Sequence, residues 1–200
     1  MKTLLLSEVF PPQHGGSGRW LYELYRRFDP AHVRAAVAAH DQAEWFDAST
    51  GMSIHRIDWP IRNWGLTGWH TLGDHRKVYR QLARIIDEHH IDTIHAGRTL
   101  PEGLLAAGLF WRRQMNFTVY VHGEELNTFA ASRELRFLAK RTLARARMII
   151  ANSRNTAALL KPWLTDHEKI VIHHPGVDTQ HFTPTTYDPQ TRERLGWSNR

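Results

Sequence analysis

Thr3-Leu4-Leu5-Leu6-Ser7-Glu8-Val9-Phe10-Pro11-Pro12-Gln13-His14-Gly15-Gly16-Ser17-Gly18 runs from an apolar segment through a proline pair into three glycines. Leu4 to Val9 is short and rich in branched residues, as the buried first strand of a parallel sheet is. Pro11 and Pro12 stop it. The glycines would let the backbone turn with positive φ and would let a ligand approach without meeting a Cβ. Trp20, Leu21, Leu24, Tyr25 and Phe28 then recur at helical spacing, with Arg19, Glu23, Arg26 and Arg27 on the other side. A helix start carries about half a positive charge and up to four unpaired donors, so a phosphate placed there gains roughly 0.3 to 2 kcal/mol. The same glycines also suit a plain tight strand-to-helix turn. Their spacing is not G-x-G-x-x-G, which disfavours a nicotinamide-type dinucleotide.

Outward from this stretch, 200 residues with 42% hydrophobic content suffice for one core. Lys plus Arg exceed Asp plus Glu by 26 to 20, a formal charge of +6 before the 14 histidines are counted. That bias favours anionic partners, such as nucleotide phosphates or phospholipid headgroups. No basic tract is interleaved with aromatics in a nucleic-acid pattern, so nucleic acid is not expected as a partner. The absence of cysteine removes disulfides, thiolate nucleophiles and cysteine metal sites together. A reducing, cytoplasmic setting fits it. Met1 to Leu6 does not read as a signal peptide, and the longest apolar run elsewhere, Leu104 to Trp111, is far short of the roughly 20 residues of a membrane span.

Further strands are expected at Val33 to Ala39, Met52 to Ile57, Ile91 to Gly97, Asn116 to Val121, Met148 to Ala151 and Lys169 to His173. Helices are expected over Leu72 to His90, from Thr99 to about Gln114, from Ser132 to Ala146, and from the Asn152-Ser153 cap through Leu160. Trp59 to Trp69 has no helical or strand period and holds three of the eight tryptophans. Such rings either plug the surface or present themselves to a sugar or lipid. Seven strands separated mostly by helices, without hairpin turns, predict a doubly wound, Rossmann-like α/β sheet. Residues 1–174 form that domain in this reading. Residues 175–200 have the character of a linker leading into a further domain, with a short helix from Pro189 to Leu195.

Ligands of such sheets bind outside the carboxyl ends of the strands. Gly15, Gly16, Arg98, His122, Glu124, Asn152 and Ser153 each follow a strand directly, which makes them the candidates. His122 is the best candidate for a catalytic or sugar-contacting side chain, against the plain alternative of a loop histidine. Glu124 and Glu125 could orient it or accept sugar hydroxyls, although adjacent carboxylates are commonly one solvated and one structural. Arg98 could bind a phosphate or an anionic acceptor, or simply pair with Glu102 at the surface. Trp64 and Trp69 are acceptor or membrane candidates. H-E-x-x-H and G-x-S-x-G are both absent, so neither a zinc hydrolase nor a serine hydrolase is indicated.

Taken together, Phe10-Pro11-Pro12 with Gly15-Gly16-Ser17-Gly18, Val121-His122-Gly123-Glu124, Ala151-Asn152-Ser153, and His173 to Phe182 resemble the N-terminal half of retaining GT-B glycosyltransferases of family four. The order of these pieces matches, and they cover nearly the whole chain. One piece departs, with Pro175-Gly176-Val177-Asp178 where members commonly carry Asn-Gly-Val-Asp. The resemblance implies transfer of a sugar from a nucleotide-sugar donor to an acceptor hydroxyl, with retained anomeric configuration and without a metal or other cofactor. It implies that a backbone amide at Gly16, with Gly15 beside it, lies near the donor diphosphate, and that His122 contacts the donor sugar. It also implies that the acidic pair and the basic phosphate clamp belong to a C-terminal domain beyond Arg200, so this chain alone should be inactive. The basic balance and the tryptophans would suit a lipid-linked acceptor, with peripheral contact at the inner face of the membrane. Two rival readings are a nucleotide-sugar epimerase of the same architecture, which needs acid/base carboxylates in the cleft, and a non-catalytic nucleotide- or glycan-binding module.

Overall fold

The computed structural model describes residues 1–183 and 189–196. Seven strands form one wholly parallel sheet in the order β3-β2-β1-β4-β5-β6-β7. They are β1 (Thr3–Ser7), β2 (Val33–Ala38), β3 (Ser53–Ile57), β4 (Thr93–Ala96), β5 (Asn116–Val121), β6 (Met148–Ala151) and β7 (Ile170–Ile172). The helices are α1 (Gly16–Tyr25), α2 (Ala43–Thr50), α3 (Trp69–His89), α4 (Leu104–Arg113), α5 (Glu124–Ala131), α6 (Arg133–Arg145), α7 (Arg154–Leu160) and α8 (Pro189–Arg194). The expected fold class is therefore the observed one. Trp197 to Arg200, with which the expected linker ends, lie outside the described residues.

Crossovers between parallel strands keep one hand, so reversing the direction of strand addition moves the connecting helices to the other face. The chain adds β2 and β3 on one side of β1 and then returns to add β4 to β7 on the other. Accordingly, α1 and α2 pack on one face through Trp20, Leu21, Tyr25 and Phe46. Helices α3 to α7 pack on the opposite face, where Val78, Leu82, Leu109, Phe129, Leu143 and Leu160 meet the sheet. Side chains obey the strand period of two: Leu4 and Leu6 enter the second layer and Leu5 the first. The reversal leaves a crevice between the carboxyl ends of β1 and β4.

Two helices go beyond the sequence reading, α2 and α5. Helix α2 buries only Ala43 and Phe46, too few for a legible apolar stripe. Helix α5 is eight residues long and ends at Ser132, which caps α6 by accepting the Leu135 amide. Helix α1 stops at Tyr25, earlier than expected, and leaves Phe28 in the following turn, 52% exposed.

A buried polar cluster holds α1 to the sheet. The Tyr25 hydroxyl is hydrogen-bonded to Nδ1 of His95 on β4 at 2.5 Å and lies 3.0 Å from the Tyr120 hydroxyl on β5. Burial disfavours the imidazolium and pushes His95 down to about 4, so the ring in this cluster is neutral.

Candidate active site

The glycine loop differs from the expected conformation. Gly15 is extended at φ 167°, and Gly16 and Gly18 are helical, so positive φ is not what these positions require. Space is what they require. A Cβ on Gly15 would stand 2.6 Å from Val9 Cγ1, and one on Gly18 would stand 2.6 Å from the Val9 carbonyl oxygen. The helix start is thereby drawn against the end of the first strand segment. At Gly16 a Cβ would meet nothing within 4 Å, so this position opens onto solvent. Gly15 supplies no side-chain cap, and the first intrahelical bond runs from the Arg19 amide to the Gly15 carbonyl at 3.0 Å. The first-turn amides ahead of it have no intrahelical acceptor.

His122 follows β5 across the crevice. Its Nε2 lies 2.8 Å from the Gly97 carbonyl. A carbonyl only accepts, so the proton is on Nε2, and in the neutral ring Nδ1 is left as an acceptor. The backbone around it is equally fixed. Buried Glu125 accepts the His122 amide at 3.1 Å and the Gly123 amide at 2.9 Å. Asn152 Nδ2 and Thr156 Oγ1 donate to the His122 carbonyl at 3.0 and 3.3 Å. Gly123 sits at φ 102°, where a Cβ would also strike Thr156 Oγ1 at 2.8 Å. The adjacent carboxylates thus divide as the sequence reading expected: Glu125 is internal and holds backbone, and Glu124 is exposed at the cleft.

Arg98 leaves β4 half-buried, and its Nη2 lies 3.4 Å from Ser17 Oγ in the first turn of α1. It faces the cleft, not the outer surface. Beneath it, Glu102 is fully buried; one carboxylate oxygen accepts the Glu8 amide at 2.9 Å and the other has no partner among the described residues. Burial raises Glu102 to about 7, only partly offset by the Glu8 amide and by the charge of Arg98. Burial likewise raises Glu8, with Arg98 opposing.

Gly15, Gly16, Arg98, His122, Glu124 and Asn152 therefore line one cleft of about 570 Å³ at the carboxyl edge of the sheet. Ser17 and Trp20 line it as well, and the sequence reading did not single them out. Trp20 is the back wall, with its ring 5.6 Å from that of His122 edge-on and stacked on His173 at 5.9 Å. Its position in the apolar stripe of α1 was legible; its meeting with two histidines depends on strand order. Three candidates stand elsewhere. Ser153 caps α7 by accepting the Thr156 amide at 3.1 Å. Trp64 packs edge-on against Phe129 at 5.9 Å. Trp69 opens α3 and is 90% exposed. Among the described residues no three His, Cys, Asp or Glu side chains are grouped as metal ligands would be, and no helix is long and apolar enough to cross a membrane.

A doubly wound sheet with uncapped amides, an arginine and an oriented imidazole at its switch point defines a Rossmann-like domain. The chain belongs to Glycosyltransferase Family 4, whose family model matches residues 14–181. No curated protein matches it significantly. Solved structures share its fold: Anabaena HepE in complex with UDP at a TM-score of 0.73 and 16% identity, covering 98% of this chain and 50% of that one. The lipopolysaccharide outer core galactosyltransferase WaaB, in its apo form, matches at 0.58 and 12% identity over 86% and 44% of the two chains. The UDP-N-acetylglucosamine 2-epimerase of Rickettsia bellii matches at 0.59 and 11% identity over 88% and 45%. The chain thus spans about half the length of these relatives and corresponds to one domain of a GT-B protein.

Proposed function

We propose that the chain is the acceptor-side domain of a retaining glycosyltransferase that takes a sugar from a nucleotide-sugar donor without a metal. The observation that carries this reading is the convergence of the first-turn amides of α1, Arg98 and His122 on one cleft. In the proposed reaction the leaving nucleotide diphosphate gains negative charge as the sugar becomes oxocarbenium-like. Fixed N–H groups at Gly16 and Ser17, with the Arg98 guanidinium, oppose that charge without having to reorganise. His122, tied through Nε2, turns Nδ1 toward a donor-sugar hydroxyl. HepE has been solved with UDP and with UDP-glucose, which makes a uridine diphosphate sugar the first donor to try.

Likeness to an epimerase gives a second reading some support. Glu125 is occupied in holding backbone amides, however, which leaves Glu124 as the acidic side chain on the cleft wall.

The test is a donor screen by thermal unfolding on the full-length protein with UDP, GDP and ADP sugars. A true donor at one hundred times its Kd adds about 2.7 kcal/mol to stability. No stabilisation by any nucleotide diphosphate would sink the cleft assignment. Sugar transfer by residues 1–200 alone would sink the half-site reading.

A further inference from the structure

A groove of about 710 Å³ runs through the layer formed by α3, α4 and α6, apart from the cleft. Its walls are apolar, from Leu72 and Tyr79 on α3 to Leu104, Leu105 and Trp111 on α4. Large apolar side chains stand in solvent along it: Trp111 is 77% exposed, Leu72 49%, and nearby Trp69 and Phe137 are 90% and 58%. Helical spacing sets Trp69, Leu72, Arg76 and Tyr79 on one face of α3, and Phe137, Arg141 and Arg145 on one face of α6. Monomers rarely leave such rings clustered in water without a use for them.

Charge identifies the use. Arg76, Arg141 and Arg145 line the groove and have no carboxylate partner among the described residues. Helix α6 carries five basic residues and one acidic one, Glu134. That carboxylate is already taken by the Leu66 and Thr67 amides, at 2.6 and 2.9 Å, and by the Thr67 hydroxyl at 2.6 Å. Arg141 lies over the Phe137 ring at 5.4 Å, an aromatic and a cation offered together. A second copy of the chain in a two-fold contact would set these arginines against themselves. Indoles at headgroup depth with arginines on lipid phosphates satisfy both halves of the surface.

We propose that the α3/α4/α6 face rests on an anionic phospholipid bilayer, with Trp69 and Trp111 entering the headgroup layer and Arg76, Arg141 and Arg145 on its phosphates. Because α3 and α6 run antiparallel to the strands, the Trp69 end of this face lies at the edge of the sheet that carries the cleft. The docking goes beyond the transfer reading and stands independently of it.

Flotation of the full-length protein tests this with vesicles of phosphatidylcholine containing phosphatidylglycerol, and with phosphatidylcholine alone. The protein should rise with the anionic vesicles only and be released by salt, since exposed charges are screened. Arg141→Gln and Arg145→Gln should each weaken binding roughly fivefold, and Trp69→Ala with Trp111→Ala roughly tenfold or more. Trp69, Trp111 and Arg141 are exposed and Arg145 is half-buried, so the Trp69, Trp111 and Arg141 variants should unfold at the wild-type temperature, and all four should bind nucleotide diphosphate as before. Absence of flotation would overturn the proposal, as would flotation insensitive to these substitutions. Concentration-dependent self-association abolished by Trp111→Ala would overturn it too, making a second copy the occupant.

Discussion

In the cleft, the His122 ring and backbone are held by Gly97, Glu125, Asn152 and Thr156; on the α3/α4/α6 face, Trp69, Trp111 and Phe137 stand in water and the arginines lining its groove have no carboxylate partner among the described residues. The first arrangement gives up conformational freedom during folding, before any ligand arrives. The second keeps that freedom until something covers it. Preorganisation suits a site that must oppose developing charge, because donors that need not move lose nothing at the transition state. Adaptable side chains suit a soft surface whose headgroups have no fixed positions. Substitutions in the two regions should therefore fail in different ways.

The largest effect is expected at His122. In the full-length enzyme, His122→Ala removes an oriented group from the proposed donor sugar and should lower kcat by roughly 10² to 10³, about 3 to 4 kcal/mol. Vesicle binding should be unchanged, because the groove is formed by other helices. Steady-state kinetics with flotation on the same preparation checks both halves. Loss of vesicle binding in this variant would show that the two regions are not separate.

Below the cleft, two buried groups oppose each other in pH. His95, lowered from 6.5 to about 4, contributes stability that is present above pH 6.5 and is lost as pH falls toward 4. Glu102, raised from 4.5 to about 7, does the reverse: its contribution is complete below pH 4.5 and disappears as pH rises through 7. In the wild type the two slopes largely cancel between pH 4.5 and 6.5. Glu102→Gln keeps an acceptor for the Glu8 amide and removes one slope. The variant should match the wild type below pH 4.5 and exceed it above pH 7 by on the order of 3 kcal/mol. Urea midpoints across that range measure the difference. Parallel curves for the two proteins would mean that Glu102 does not titrate inside the fold.

The strands and the residues that follow each of them were legible in the sequence, and that was enough to gather Gly15, Gly16, Arg98, His122, Glu124 and Asn152 at one edge; the order in which the strands lie side by side was not. Strands β5 and β6 keep the bounds read from residues 116–121 and 148–151, because alternation is sharp in one and both are bounded by helix ends. What could not be read depended on partners distant in the chain. Trp64 is packed and Trp69 is not, because Phe129 lies beneath Trp64, and Phe129 belongs to α5, a helix with too little periodicity to be read. The Gly97 carbonyl that fixes the His122 tautomer comes from the residue just past the neighbouring strand β4. Trp111 was likewise not singled out in the sequence, since a groove between three helices exists only once they are assembled.

The smallest effect separates the two purposes that one glycine loop serves. Gly18 is needed by the fold, since a Cβ there would meet the Val9 carbonyl oxygen and carbon at 2.6 and 2.8 Å. Backbone cannot swing aside as the end of a long side chain can, so α1 must retreat from the strand. Gly18→Ala should cost about 1 to 3 kcal/mol of stability. Gly16 is needed, on the proposed reading, by the ligand. A methyl group there enters open space in the cleft, so Gly16→Ala should leave the thermal midpoint unchanged or slightly higher, as the unfolded chain loses freedom. It should nonetheless weaken diphosphate binding, because the methyl occupies the approach to the first-turn amides. Calorimetric titration with UDP beside a thermal melt distinguishes the outcomes: destabilisation by Ala at both positions would reduce the loop to a structural turn, while loss of binding at Gly16 with an intact melt ties the open amides to the phosphate.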